Sequence, residues 1–143
     1  MPVLSLEQIT TTPTATSKDE AIQEAADILV AAGAVTPDYA DAMRERETSV
    51  STYMGNLLAI PHGTNESKES ILDSGLSVAR HDTPIDWDGN PVKFVIGIAG
   101  KDGGHLEILS KIAIVFADED EVAKLEAAPD AAAILELLGD VNE

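Results

Sequence analysis

Three side chains have types and settings suited to moving a phosphoryl group: His62, His105 and Arg46. His62 lies in Ile60-Pro61-His62-Gly63-Thr64, behind the apolar run Leu57-Leu58-Ala59-Ile60, which has the length and composition of a buried strand. Proline has no N–H for a ladder and ends the strand, and Gly63 lets the chain bend sharply beyond the imidazole. Thr64 is of the type that caps a helix N-terminus, with 66–70 as a short helix after it. The histidine then precedes unpaired backbone N–H groups that favour an anion. That setting suits a ring nitrogen carrying a phosphoryl group. The plainer alternative is a turn histidine making a structural hydrogen bond.

His105 follows Gly103-Gly104 and opens a helix. There a neutral imidazole can hydrogen-bond a phosphoryl oxygen or a neighbouring histidine, or it is simply a polar first-turn residue. Arg46 ends a helix shortly before the strand that carries His62. Its guanidinium can clamp phosphate oxygens with two parallel hydrogen bonds, or be solvated at a helix C-terminus that favours cations. His81 reads as a strand residue near the surface, and Trp87 as a ring packed over a hairpin end. Neither a His-x-x-x-His spacing nor a Gly-x-Ser-x-Gly elbow occurs, so no metal, cofactor or serine nucleophile is expected.

The elements that must hold these residues follow from pattern. Ser17 and Glu20 form a capping box, and Ala21, Ile22, Ala25, Ile28, Leu29 and Ala32 share the face of a helix that stops at Gly33. Thr36-Pro37 starts a second helix that runs to about Glu47. Residues 76–81 alternate as a strand. The turn-rich Asp86-Trp87-Asp88-Gly89-Asn90-Pro91 joins it to the apolar strand 92–99, giving a hairpin. A helix from His105 would bury Leu106, Leu109, Ile112, Ala113 and Phe116, and helices over 121–127 and 130–138 complete the chain. Interleaved helices and strands with one hairpin predict a single α/β domain over 1–143 with a mixed sheet covered on both faces.

Composition narrows the partners. Only 3% of residues are aromatic against 44% hydrophobic, so aliphatic side chains must fill the core. Acidic residues number 26 against 9 basic, a formal charge of −17, which disfavours nucleic acid and anionic membrane surfaces. The sequence contains no cysteine, which removes disulfides and thiolate chemistry from within it. It lacks an apolar stretch near the roughly 20 residues that span a bilayer, and a basic leader as well. A cytoplasmic protein is expected.

These residues resemble an enzyme IIA domain of the phosphoenolpyruvate-dependent sugar phosphotransferase system, in the fructose/mannitol class. The resemblance runs through Arg44-Glu45-Arg46-Glu47, Tyr53-Met54-Gly55-Asn56 and Ala59-Ile60-Pro61-His62-Gly63-Thr64, then Val95-Ile96-Gly97-Ile98-Ala99 and His105-Leu106. It implies a three-layer α/β/α sandwich with a mixed β-sheet. It also implies His62 as phosphoryl acceptor, with His105 and Arg46 supporting the phosphorylated ring and Gly63, Thr64 and Asn56 as binding residues. Asn56 stands where some mannitol-type members carry a glutamate, so a glutamate-based account does not transfer. The partners implied are the phosphocarrier HPr as donor, a IIB protein whose cysteine is the acceptor, and a membrane IIC reached indirectly, the last two on other chains. Trp87 before Asp88-Gly89 and the His105-Leu106 pair point to fructose uptake. The alternatives are a nitrogen-related regulatory IIA and an anion-exchanger-like interaction domain.

Overall fold

Helix α1, Lys18–Ala31, begins where its cap residues dictate: Ser17 Oγ accepts from the Glu20 N–H at 3.2 Å. The Glu20 carboxylate reaches back to the N–H and hydroxyl of Thr16, one residue before the cap, at 2.9 Å each. The computed structural model describes residues 3–64, 69–101 and 105–142, without the side chains of His105 and Asp140. Helix α2 spans Tyr39–Ser49, starting two residues later than the proline suggests. The Thr36 hydroxyl donates to the Asp38 carboxylate, and the Tyr39 N–H donates to the Thr36 carbonyl, so Pro37 belongs to a tight turn ahead of the helix.

The sheet has five strands in the order β1-β4-β5-β3-β2. They are β1 (Ile9–Thr10), β2 (Tyr53–Gly55), β3 (Leu58–Ala59), β4 (Gly75–Trp87) and β5 (Asn90–Ala99). Strands β4 and β5 form the expected antiparallel hairpin, while β1 is parallel to β4 and β3 parallel to β5. Asp88 and Gly89 turn the hairpin with φ of 56° and 95°, the left-handed pair that a two-residue type I′ turn requires. Strand β2 was not foreseen, and Leu57 is not in a strand. Asn56 and Leu57 form a second tight turn at φ of 50° and 71°, joining β2 to β3. Leucine is strained there, but its carbonyl accepts from both the Lys93 and Phe94 N–H groups at 2.9 Å.

Strand alternation divides the core in two. Leu58, Leu76, Val78, Phe94, Ile96 and Ile98 face α3 (His105–Phe116), α4 (Glu119–Ala127) and α5 (Ala131–Leu137). Ala59, Ala79, Val95 and Ala99 face α1 and α2. The result is the α/β/α sandwich with a mixed sheet. The α1 face is tight: a Cβ on Gly97 would lie 2.5 Å from Ser77 Oγ and 3.0 Å from the Ala25 Cβ. Helix α3 buries Ile108, Ile112 and Phe116, whereas Leu106, expected inside, is 65% exposed. Two residues subtend about 200° of helix, so a face through Ile108 turns Leu106 outward. Arg80 donates to the Leu125 and Ala128 carbonyls at 2.9 and 2.6 Å, satisfying the C-terminal end of α4.

Candidate functional site

The pairing of β3 with β5, Leu58 with Phe94 and Ala59 with Val95, continues past the end of β3 as a bridge between His62 and Ile98. The Ile98 N–H donates to the Pro61 carbonyl at 3.0 Å, so proline interrupts the ladder and its carbonyl still serves it. His62 therefore stands at the C-terminal ends of two parallel strands, the edge at which open α/β sheets place their ligands.

Its ring orientation is defined. Nδ1 lies 2.8 Å from the Ile60 carbonyl. A carbonyl oxygen only accepts, so Nδ1 carries the proton and the lone pair of the neutral ring is on Nε2. The ring is half-buried. An imidazole held this way is a nucleophile with its direction of attack set by the backbone.

Tyr39, which sequence reasoning passed over, closes the turn. It is buried at the start of α2, and its hydroxyl accepts from the Gly63 N–H at 2.9 Å and donates to the Ile98 carbonyl at 2.8 Å. Burial pushes the phenol pKa up, against a smaller opposing pull from the Gly63 hydrogen bond, so it stays protonated at neutral pH. The Gly63 N–H, expected to be open to an anion, is thus engaged by this hydroxyl. Thr64 is half-buried at the end of a described stretch. Of the short helix expected behind it over 66–70, residues 66–68 lie outside the described residues.

Arg46 lies in the last turn of α2, and its Nη1 donates to the Val50 carbonyl at 2.9 Å. Tyr53 pairs with Ala59 and the Ile60 N–H donates to the Thr52 carbonyl at 3.1 Å. Helix α2 thus leads directly into the strand segment that pairs with the one carrying His62. Neighbouring Glu47 points inward, a second residue that sequence reasoning missed. Its buried carboxylate accepts from the N–H and hydroxyl of Thr52 and lies 3.4 Å from both Trp87 Nε1 and Lys18 Nζ. Glu47 thereby fixes Thr52, Thr52 fixes Ile60, and Ile60 fixes the His62 ring. Trp87, expected over a hairpin end, is fully buried with Lys18 5.6 Å above its ring.

His105 opens α3 shortly after β5 ends, at the edge where His62 stands; its side chain lies outside the described residues. Asn56 is elsewhere. Its amide donates to the Phe116 carbonyl at 2.6 Å, at the opposite end of α3 from His105, and α3 is about 18 Å long at 1.5 Å per residue. The structure does not bring Asn56 to His62. His81, expected near the surface, is buried in β4. Among the described residues no cluster of three or more His, Asp or Glu side chains could hold a metal ion, and no helix is long and apolar enough to cross a membrane.

An α/β sandwich presenting a carbonyl-oriented histidine at its strand ends is suited to carrying a group on that ring, and comparison with known proteins gives the family. Residues 2–141 match the family described as "Phosphoenolpyruvate-dependent sugar phosphotransferase system, EIIA 2". The chain is 54% identical over 141 residues to the mannitol-specific phosphotransferase enzyme IIA component of Halalkalibacterium halodurans, covering 99% of this chain and 97% of that protein. It is 47% identical to the enzyme of the same name from Geobacillus stearothermophilus, covering 99% of each. Among solved structures it resembles enzyme IIA of the mannitol system of Escherichia coli in complex with phosphorylated enzyme IIB, with a TM-score of 0.89, 31% identity, and 96% and 97% of the two chains covered. Nitrogen regulatory protein IIA-Ntr of Neisseria meningitidis matches with a TM-score of 0.84 at 26% identity, with 95% of this chain and 96% of that one covered. The chain belongs to the EIIA 2 family of the phosphoenolpyruvate-dependent sugar phosphotransferase system. It is a phosphotransferase, a phosphocarrier serving sugar uptake. The relatives bear the name of mannitol where the sequence features pointed to fructose.

Proposed function

We propose that this protein accepts a phosphoryl group from HPr on Nε2 of His62 and passes it to the cysteine of a IIB protein during mannitol uptake. The observation that carries the reading is the hydrogen bond from His62 Nδ1 to the Ile60 carbonyl, which leaves Nε2 as the nucleophile. Attack by the Nε2 lone pair on phosphorus forms one P–N bond as the P–N bond to the donor histidine breaks. In the second step a cysteine thiolate attacks, a P–S bond forms, and the electron pair returns to Nε2. The proton stays on Nδ1, donated to the Ile60 carbonyl throughout, and that hydrogen bond stabilises the positive character that the phosphorylated ring acquires. Arg46 offsets phosphoryl charge from the rim, His105 supports it from the start of α3, and Gly63 and Thr64 shape the turn around it. Asn56 contributes by holding the far end of α3.

Mannitol is preferred to fructose because the relatives at 54% and 47% identity are both named mannitol-specific. Uptake is preferred to regulation because the nitrogen regulatory protein shares the fold at only 26% identity. The sequence holds no cysteine, so the acceptor thiol lies outside it. The E. coli complex of enzyme IIA with phosphorylated enzyme IIB supports a IIB partner here. Incubation with phosphoenolpyruvate, enzyme I and HPr should add one acid-labile, base-stable phosphoryl group, which a mannitol-type IIB then removes. Full labelling of a His62→Ala protein would place the acceptor elsewhere and defeat the reading.

A further inference from the structure

We propose that Tyr39 is a positioning residue for phosphoryl transfer: its hydroxyl clamps the Gly63 amide to the Ile98 carbonyl and keeps the His62 ring aimed. The inference rests on His62 being the acceptor. His62 sits between two residues that are both tied to Ile98. On one side, the Pro61 carbonyl accepts from the Ile98 N–H at 3.0 Å. On the other, the Gly63 N–H donates to the Tyr39 hydroxyl at 2.9 Å, and that hydroxyl donates to the Ile98 carbonyl at 2.8 Å. A hydroxyl has one proton, and Ile98 offers a carbonyl that can only accept, so the proton goes there and an oxygen lone pair meets Gly63. The directions of both bonds are therefore fixed.

The phenol is buried and anchored at the first residue of α2, so the clamp stands on a packed helix end. Both peptide groups flanking the imidazole are held, and His62 Nδ1 meets the Ile60 carbonyl at 2.8 Å with little freedom to turn away. Removing the hydroxyl leaves the Pro61 tie intact and frees the Gly63 peptide to rotate. The Ile60 carbonyl then competes with water for Nδ1, and the proton redistributes between the ring nitrogens.

The test is Tyr39→Phe, which keeps the ring in place and deletes only the hydroxyl. The expected result is a folded protein in which the share of His62 protonated on Nδ1, read by imidazole ¹⁵N NMR, falls. Single-turnover transfer from phosphorylated HPr should slow by about 10–100-fold, the scale of a small misplacement of reacting groups, with KM for HPr unchanged. A folded variant with wild-type tautomer populations and transfer rate would overturn the proposal and leave the hydroxyl as a fold contact alone. The unaltered protein gives a second arm that does not depend on the variant folding. Its Gly63 amide should be protected from hydrogen exchange, and exchange at the free-peptide rate would overturn the clamp. Label retained by His62→Ala would instead fault the acceptor reading, a result distinct from either of these.

Discussion

His62 and His81 hang from the same sheet, yet the backbone treats the two rings in different ways. At the end of β3 the Ile60 carbonyl accepts a hydrogen bond from Nδ1–H of His62 and the ring remains half-buried. In β4 the ladder slips between Arg80 and Ile85, and His81 is buried at that slip. Its Nε2 lies 3.8 Å from Glu24 Oε1, and among the described residues neither atom has a hydrogen-bond partner. Burial pushes the His81 pKa below the usual histidine value, against the opposing pull of Glu24 and Asp82. On the proposed mechanism, a histidine is made reactive here by a carbonyl that fixes one nitrogen and leaves the ring accessible. Burial alone makes a neutral, enclosed ring with no route to a partner.

The sharpest way to break that contrast is to exchange the two rings for inert side chains. His62→Ala should lose all phosphoryl labelling, and His81→Gln should transfer at the wild-type rate; slowed transfer in the second would give His81 a role denied it here. Next in size, Arg46→Glu should slow transfer by roughly 10–100-fold. Reversal of Lys124, exposed on α4 and paired with Glu121, should leave the rate alone. Equal effects of the two reversals would reduce Arg46 to a helix-end charge.

Two smaller effects concern the enclosed side. Gly97→Ala would press a methyl group against Ser77 and Ala25, beside the Glu24 that faces His81, and should cost about 1–3 kcal/mol in denaturant unfolding. A stability equal to wild type would show that α1 can retreat. The least effect is a pH dependence. Because the folded-state pKa of His81 is lowered, the unfolded chain takes up that proton first as the pH falls. Stability from this group is present above the unfolded value of about 6.5 and is lost as pH falls from there through the lowered folded value. His81→Gln should flatten that part of the stability profile, and an unchanged slope would mean that burial does not govern the ring.

What could be read from the sequence was local. The capped start of α1 and the Asp88-Gly89 hairpin each depend on neighbours along the chain, and each stands as expected. What could not be read depends on distant partners. Tyr39 gives no sign in sequence that its hydroxyl will meet Gly63 and Ile98, since the fold alone brings them together. Alternation in β4 assigns His81 to a face of the sheet without saying how deeply the face is covered. The apolar run beginning at Leu57 concealed a turn, because the left-handed backbone at Leu57 is held by Lys93 and Phe94 rather than by its own residue type.

The central claim is that the backbone aims Nε2 of His62 at the phosphoryl group, and nitrogen-resolved NMR of the phosphorylated protein tests it most directly. With ¹⁵N-labelled histidine and transfer from phosphorylated HPr, the His62 ring should show ³¹P coupling at Nε2 while Nδ1 keeps its proton and its hydrogen bond. Coupling at Nδ1, with the proton moved to Nε2, would contradict the account, because the Ile60 carbonyl would have had to give up the ring for the reaction to occur.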